Sequence, residues 1–433
     1  VREGREKSND LINAVVRVFI PISVCFAALF YFEAPIVAKI LAPAYQGEEI
    51  QLLSGYIKTM SISFVLWCYF LTVNVILETD KQFIQGKGQG FFQNVFLILG
   101  AVLLYPKLGM DVLVYAFLLS GLAQCILVTW CARGRFKVVF RKLACYSYVK
   151  QLIKVALPLF LGNAMYEVNT IVDGQVATSL GAGGASVLNY GATIHDMVVG
   201  VIVTSVSTVL FSHFSTWIAR NEISQVEVNL RRTLELLSLI LLPVMVMCIV
   251  AGDQIVTIFY GRGSFGKNEI KMTYGVVIGY SLGFVFQAAR ANLVKVYYAF
   301  QDSKRPMING FIAIVMNIVL SIVLSRVIGV AGIAVATSIS MFGVTVMLFG
   351  GIQKYLPNFS LSESIKEVTK GIFAAGITAV VVCFFKSKLN MGLFTTFFIE
   401  GVVTVILYIV LLFMFKSYRI TSMCDFFKTK LEK

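Results

Sequence analysis

Charge is scarce in this 433-residue chain: Asp, Glu, Lys and Arg make up 14% of it, against 58% hydrophobic residues, and the mean hydropathy is +0.82. A water-soluble domain of this size needs far more charge to solvate its surface, and a disordered chain more still. Both classes are excluded. Histidine is rarer yet, with only His195 and His213, which leaves little material for acid–base or metal chemistry. The eight cysteines form no CxxC pair and none falls in an expected outer loop, so neither a disulfide framework nor a metal cluster is supported. A Gly-rich phosphate loop, a nucleophile motif and a cofactor box are all lacking, which argues against an enzyme.

What the chain has is apolar length. Runs of roughly 20 residues, enough to span hydrocarbon about 30 Å thick, recur throughout. They predict an all-α polytopic membrane protein with about twelve spans, near 11–40, 52–78, 88–106, 110–132, 149–180, 184–216, 230–260, 272–300, 307–327, 330–352, 367–387 and 391–415. The first stretch is too long for a secretory signal and lacks a cleavage region. The net charge of +14 sits in alternate connections. Arg2, Arg5 and Lys7 precede the first span; Lys81 and Lys87, then Arg133, Arg135, Lys137, Arg141 and Lys142, then Arg220, Lys304 and Arg305, Lys354 and Lys366 follow every second one; and Lys416, Arg419, Lys428, Lys430 and Lys433 close the chain. Intervening loops such as Gly181–Gly184 are nearly bare, and the loop at Arg262 and Lys267 is the richest. This asymmetry predicts a multi-pass protein of the cytoplasmic membrane with both chain ends in the cytoplasm. The basic balance is thus an insertion signal among membrane lipids, and no basic–aromatic patch points to nucleic acid.

The chain also repeats itself at a spacing of about 220 residues, as many transporters do. Glu33-Ala34-Pro35-Ile36-Val37 and the later Gly47-Glu48-Glu49-Ile50 match Gly252-Asp253-Gln254-Ile255-Val256 and Lys267-Asn268-Glu269-Ile270. Further along, Thr79-Asp80-Lys81 matches Gln301-Asp302-Ser303-Lys304, Asn94 matches Asn317, and Gly109 matches Gly329. An even number of spans separates the copies, which predicts two bundles related by an axis along the membrane normal with a cavity between them. The spans at 149–180 and 184–216 have no counterparts, so the repeat predicts an N-terminally incomplete chain; a short paralogue with a processed start is the competing expectation. The expected domains are 1–147, the remainder of a first lobe with four spans; 148–355, a second lobe with six; and 356–433, two extra helices and a basic tail.

Ionisable groups inside spans are costly and mark pathways or cavities. Asp173 shares a helix face with Asn169 at i, i+4, whereas Glu167 does not. Two readings stand for it: a cation or proton site, and an acid wetted by the headgroup zone near Leu180. Asn317 and Ser321 lie i, i+4 on one helix with Thr337 on the next; they either hydrogen-bond between helices or join Asp173 as the hard oxygens a small cation needs. Arg290 lies mid-span, one turn beyond Gln287 and too deep to snorkel comfortably, and reads as an anion contact because its fork matches phosphate oxygens. Lys295 can snorkel to the interface. Asp196 is a cavity residue, and His195 beside it a packing group.

Val172-Asp173-Gly174, Ala185-Ser186-Val187-Leu188-Asn189-Tyr190, the turn Gly261-Arg262-Gly263-Ser264-Phe265, Gly332-Ile333-Ala334-Val335-Ala336-Thr337-Ser338 and above all Tyr297-Tyr298-Ala299-Phe300-Gln301-Asp302-Ser303-Lys304-Arg305-Pro306 resemble the MurJ (MviN) lipid II flippases. These belong to the wider multidrug, oligosaccharidyl-lipid and polysaccharide exporter superfamily. The resemblance implies a two-lobe fold of about fourteen helices. It implies alternating-access transport of an undecaprenyl-pyrophosphate-linked peptidoglycan precursor, with cell-wall synthesis proteins as partners. It also implies a sodium-type site at Asp173, Asn317, Ser321, Thr337 and the Ile333 carbonyl, with sodium or proton coupling and no other cofactor. The substrate cavity would take Arg290, Asp196, Thr193, Tyr190 and Gln287. Thr193 stands where many members carry arginine, and Ser321 where an acid can stand. Those departures keep open a flippase for another lipid-linked oligosaccharide, a drug exporter and a transport-inactive membrane scaffold.

Overall fold

In hydrocarbon a chain can satisfy its backbone only within helices or closed barrels, and in the computed structural model every regular element among the described residues is helical. The structure describes residues 5–79, 89–133, 167–181, 183–386, 388 and 391–419. Outside them lie the first part of the span expected at 149–180, the basic residues Arg2, Lys81, Lys87, Arg135, Lys137, Arg141, Lys142, Lys428, Lys430 and Lys433, and Cys145 and Cys424.

Two compact units divide the chain, Val1–Asn163 and Ala164–Lys433. The first holds α1 (Arg5–Phe32), α2 (Ala34–Leu41), α3 (Glu48–Met60), α4 (Ser63–Thr79), α5 (Gln89–Leu103), α6 (Tyr105–Leu108) and α7 (Asp111–Cys131). The second holds α8 (167–179), α9 (Gly184–Val198), a π-helical stretch (Val199–Thr204), α10 (Ser205–Ala219), α11 (Ile223–Val250), α12 (Gly252–Tyr260), α13 (Lys267–Ser281), α14 (Phe284–Ala299), α15 (Lys304–Ile328), α16 (Ala331–Ile352), α17 (Ser362–Lys386) and α18 (Leu393–Met414). Among the described residues nine helices are long and apolar enough to cross a membrane, or ten when α13 and α14, bent by 44°, count as one span. Gly90–Leu103 is a shorter apolar helix.

Two spans end earlier than the apolar runs suggest. The run at 11–40 breaks at Glu33 and the run at 230–260 breaks at Ala251, and the residues beyond form the separate short helices α2 and α12. At the first break Pro35 lacks the N–H that would continue the ladder of α1, but it suits the first turn of a new helix. At the second, Gly252 lies so close to the Tyr274 ring that a Cβ would meet it at 2.8 Å. Both breaks fall on the repeated segments. The matched glycines also share a backbone conformation open only to glycine: φ 58°, ψ −142° at Gly109 and φ 64°, ψ −148° at Gly329.

Helix α11 is the spine of the second unit. Leu237, Leu241 and Cys248 pack with Ile194, Val277 and Phe284, while Leu239, Leu242 and Val246 pack with Ala374, Tyr408 and Leu412 of α17 and α18. Polar clasps reinforce that second face. Glu235, fully buried on α11, accepts hydrogen bonds from Ser364 at 2.8 Å, from the Tyr418 hydroxyl at 2.6 Å and from Arg419 Nε. Glu367 on α17 accepts from Ser417, from the Arg419 backbone N–H at 3.3 Å and from Lys370 at 3.3 Å. The short segment after α18 is thereby fastened to both α11 and α17.

The tight α15–α16 pair depends on a second close approach, at Gly332, where a Cβ would land on the Leu324 carbonyl and the Ser325 nitrogen. Backbone cannot yield as a flexible side chain can. Gly332→Val should therefore destabilise the fold by about 1–3 kcal/mol, read as a lower melting temperature in detergent, and an unchanged melt would show that the pair is looser than described.

Candidate functional site

Polar side chains from three helices meet where α8 and the α15–α16 pair pack together. Asp173 is 7% exposed. Its Oδ1 accepts from Ser321 Oγ at 2.8 Å and its Oδ2 from Asn169 Nδ2 at 3.1 Å. The mesh continues: Ser321 Oγ lies 3.4 Å from Asn317 Oδ1, Asn317 Nδ2 donates to Thr337 Oγ1 at 3.0 Å, and Thr337 Oγ1 donates to the Ile333 carbonyl at 3.2 Å. All five residues expected at a cation site thus come together in one connected group, which spacing along the chain alone could not show.

The local chain explains the meeting. Asn317 and Ser321 stack one turn apart on α15, and so do Ile333 and Thr337 on α16. Gly329 turns the chain between the two helices, and Gly332 lets them approach. The expected partnership of Asn169 with Asp173 is present, and Asn169 adds something that the helical spacing did not reveal. Its Oδ1 is buried and has no hydrogen-bond partner among the described residues, a vacant acceptor beside a carboxylate. Chemically the group offers carboxylate, amide, hydroxyl and carbonyl oxygens, the hard donors that replace water around a small cation.

The expected cavity residues fall on two other elements. Helix α9 is apolar on one face, where Val187, Leu188 and Ile194 are buried. Its other face exposes Ser186, Asn189, Tyr190, Thr193 and Asp196, a polar stripe at helical spacing. Asp196 is 73% exposed, with one oxygen 2.9 Å from His195 Nδ1. The His195 ring stacks on Phe284 at 5.6 Å and lies 5.0 Å from the Tyr280 ring, so it serves packing as expected. Thr193 spends its hydroxyl on the Asn189 carbonyl of its own helix at 2.8 Å. Tyr190 packs with Tyr260 at 4.6 Å and with Phe265 of the Arg262–Phe265 turn at 5.3 Å. Gln287 and Arg290 are carried by α14, which packs on the π-helical stretch. Gln287 Oε1 is buried without a partner among the described residues. Lys295, one helical segment further, donates to Thr208 Oγ1 on α10 at 3.3 Å.

The segment Tyr297–Pro306 turns out to be a staple. Tyr297 donates to the Leu348 carbonyl at 2.7 Å, and Arg305 Nη1 to the Gly351 carbonyl at 2.8 Å. Asp302 accepts from the Arg305 backbone N–H at 3.2 Å and from the Tyr355 hydroxyl at 2.8 Å. These bonds join the end of α14, the start of α15 and the end of α16. Burial raises the Asp302 carboxyl, but the Tyr355 and Arg305 hydrogen bonds and the Arg305 charge outweigh it and hold the group below the usual carboxylate range. The same bond raises the Tyr355 hydroxyl, with burial and the Asp302 charge adding to it.

Comparison with known proteins finds a matching family and a matching fold. The family model described as "Lipid II flippase MurJ" matches residues 2–414. A probable lipid II flippase MurJ of Treponema pallidum is 26% identical over 67% of this chain, and the chain spans 58% of that relative's length. One from Thermotoga maritima is 23% identical over 81% of the chain and 70% of its own length. Among solved structures, a lipid II flippase MurJ in an inward closed conformation superposes with a TM-score of 0.83 at 22% identity, covering 96% of this chain and 85% of its own. An inward-facing multidrug resistance MATE family transporter of the MOP superfamily gives 0.70 at 14%, covering 79% and 81%.

The Asp302 staple makes a pH prediction. Its carboxyl is held lower in the fold than in the unfolded chain, where it titrates near about 3.9. The stability it contributes is therefore complete above about pH 4 and is lost as pH falls through the folded value. Asp302→Asn should abolish that acid-side loss in a melting-temperature series, and Asp302→Ala should cost a further ~1 kcal/mol by removing the acceptor at the helix start.

Proposed function

The chain belongs to the lipid II flippase MurJ family, and on that premise we propose that it carries an undecaprenyl-pyrophosphate-linked peptidoglycan precursor across the bacterial cytoplasmic membrane by alternating access, with both chain ends in the cytoplasm. The family is one of membrane transporters, not enzymes. The observation that carries the reading is the exposed polar stripe Ser186–Asn189–Thr193–Asp196 on an otherwise apolar helix. Such a stripe would be expelled from lipid and suits a water-filled path for a sugar head group. The lipid tail needs no such path, because it remains in hydrocarbon throughout. Arg290, with Gln287 one turn before it, supplies the positive charge for the pyrophosphate.

In the same reading the Asp173 group is the coupling site. Asp173, Asn317, Ser321, Thr337 and the Ile333 carbonyl would hold sodium, and the vacant Oδ1 of Asn169 adds a further oxygen. A bound cation would supply the positive charge that the buried Asp173 lacks among its partners in the described residues. Because α15 and α16 both contribute oxygens, its loading is coupled to how α8 seats on that pair. The second reading is a flippase for another lipid-linked oligosaccharide: Thr193 is uncharged and its hydroxyl is turned back onto its own helix, so this position adds no positive charge to the polar face.

The direct test is expression of the protein in cells depleted of their own lipid II flippase. Restored lipid II translocation is expected, and no rescue by a stably inserted protein would sink the substrate. Arg290→Ala should lower translocation by about tenfold or more, the cost of roughly 1.4 kcal/mol of lost interaction; unchanged flipping would remove Arg290 from the path. For the cation, sodium at a hundredfold excess over its Kd should stabilise the protein by about 2.7 kcal/mol relative to choline. Asp173→Asn should erase that difference, and equal melts of the unaltered protein in the two salts would rule the sodium site out.

A further inference from the structure

Glu400 lies within the apolar helix α18 and is 1% exposed. Both of its carboxylate oxygens sit 3.1 Å from the same atom, Gln254 Nε2 in the first turn of α12. Gln254 is itself only 6% exposed, and its Oε1 has no hydrogen-bond partner among the described residues.

Counting donors and acceptors shows what is missing. An ionised carboxylate only accepts, so it can use the amide NH2 group but strands the amide oxygen. Turning the amide over brings that oxygen against a carboxylate oxygen, which sets two acceptors face to face. One added proton resolves both arrangements: the acid O–H donates to Gln254 Oε1 while Nε2 donates to the acid carbonyl, and no acceptor is left over. The described residues around the pair offer no other remedy. The charged groups acting on Glu400 are Lys386 from α17 and Asp253 from α12. Lys386 Nζ is already engaged by Asp253 Oδ1 at 2.6 Å and by the Val250 carbonyl at 2.7 Å. From α11 the neighbour is Met247, whose sulfur accepts from Thr404 at 3.3 Å. An ionised carboxylate paired only with a neutral amide here is costly, whereas a neutral acid–amide pair is not.

We propose that Glu400 is a proton-binding site, and that the protonated acid closes a two-bond ring with the Gln254 amide that seats α18 on α12. The ligand is a proton from water, taken up at the end of the helices where Asp253 is 43% exposed. It bonds to a carboxylate oxygen on binding, and its release returns it to water and leaves the carboxylate. The site is separate from the Asp173 group and does not depend on the substrate being a peptidoglycan precursor.

Infrared spectroscopy of the full chain in lipid bilayers, titrated with pH, tests this. The unaltered protein should show the carbonyl band of a protonated carboxylic acid at neutral pH, and Glu400→Gln, which mimics the protonated shape, should lose that band while still folding. Gln254→Leu should keep the band but shift it upward, as a carbonyl does when it loses its donor. The melting temperature of the unaltered protein should also fall relative to Glu400→Gln as pH rises. Superimposable spectra of the unaltered protein and Glu400→Gln across the titration would overturn the proton site. A band unmoved by Gln254→Leu would overturn the pairing.

Discussion

A polar side chain buried in apolar surroundings has to find its partner inside the protein, and the second unit is organised around that demand. Four buried carboxylates meet it in different ways. Glu235 recruits a serine, a tyrosine and an arginine; Glu367 recruits a serine, a lysine and a backbone N–H. Asp173 draws a serine and an asparagine from two helices. Glu400 has a single amide. The first two carry cations and read as fasteners, because a buried charge with its counter-charge and hydrogen bonds is settled. The last two carry no such cation among the bonds described, and each has an unpartnered buried oxygen beside it, Asn169 Oδ1 or Gln254 Oε1. That difference separates structural acids from candidate ligand sites.

The same demand assigns roles to the helices. Helix α11 carries apolar contacts on both faces, so the elements around it share one core, and the clasps at Glu235 and Glu367 hold α17 and α18 to it. The π-helical Val199–Thr204 interrupts a long helix at a run of β-branched residues with a glycine, residues of low helix propensity. Thr204 at the end of the break and Thr208 beyond it are exposed, the latter bonded to Lys295, beside the exposed Val206 and Val209. The Tyr297–Pro306 segment, the most distinctive stretch of the chain, sets Tyr297 in a buried cluster with Phe214 of α10 and Leu230 of α11. It binds helix ends together, which shows that a distinctive motif can mark a fastening as readily as a ligand contact.

Much of this was legible from the residues. The apolar runs located the helices, but the repeated segments did not indicate that the helices would break at Glu33 and Ala251. Asp173, Asn317, Ser321 and Thr337 were visible as polar groups at helical spacing. Asn169 was visible only as a helix neighbour of Asp173. Glu235, Glu367 and Glu400 were overlooked, although an acid in the middle of Phe398-Ile399-Glu400-Gly401-Val402 was as conspicuous as Asp173. Their importance lies in partners 129 to 184 residues away for Glu235 and 146 for Glu400, and such separations leave no local pattern.

By itself the sequence determined that this is a helical, membrane-spanning chain with an internal repeat, because span length, charge asymmetry and periodicity are properties of neighbours along the chain. Only the tertiary structure decided which polar groups meet. Whether Asp173 faces Ser321 or headgroups, and whether Glu400 meets a cation or an amide, depends on how helices seat against one another. Close approaches such as Gly332 on Leu324 set that seating, and it is in that packing that a costly buried charge becomes a fastener or a site.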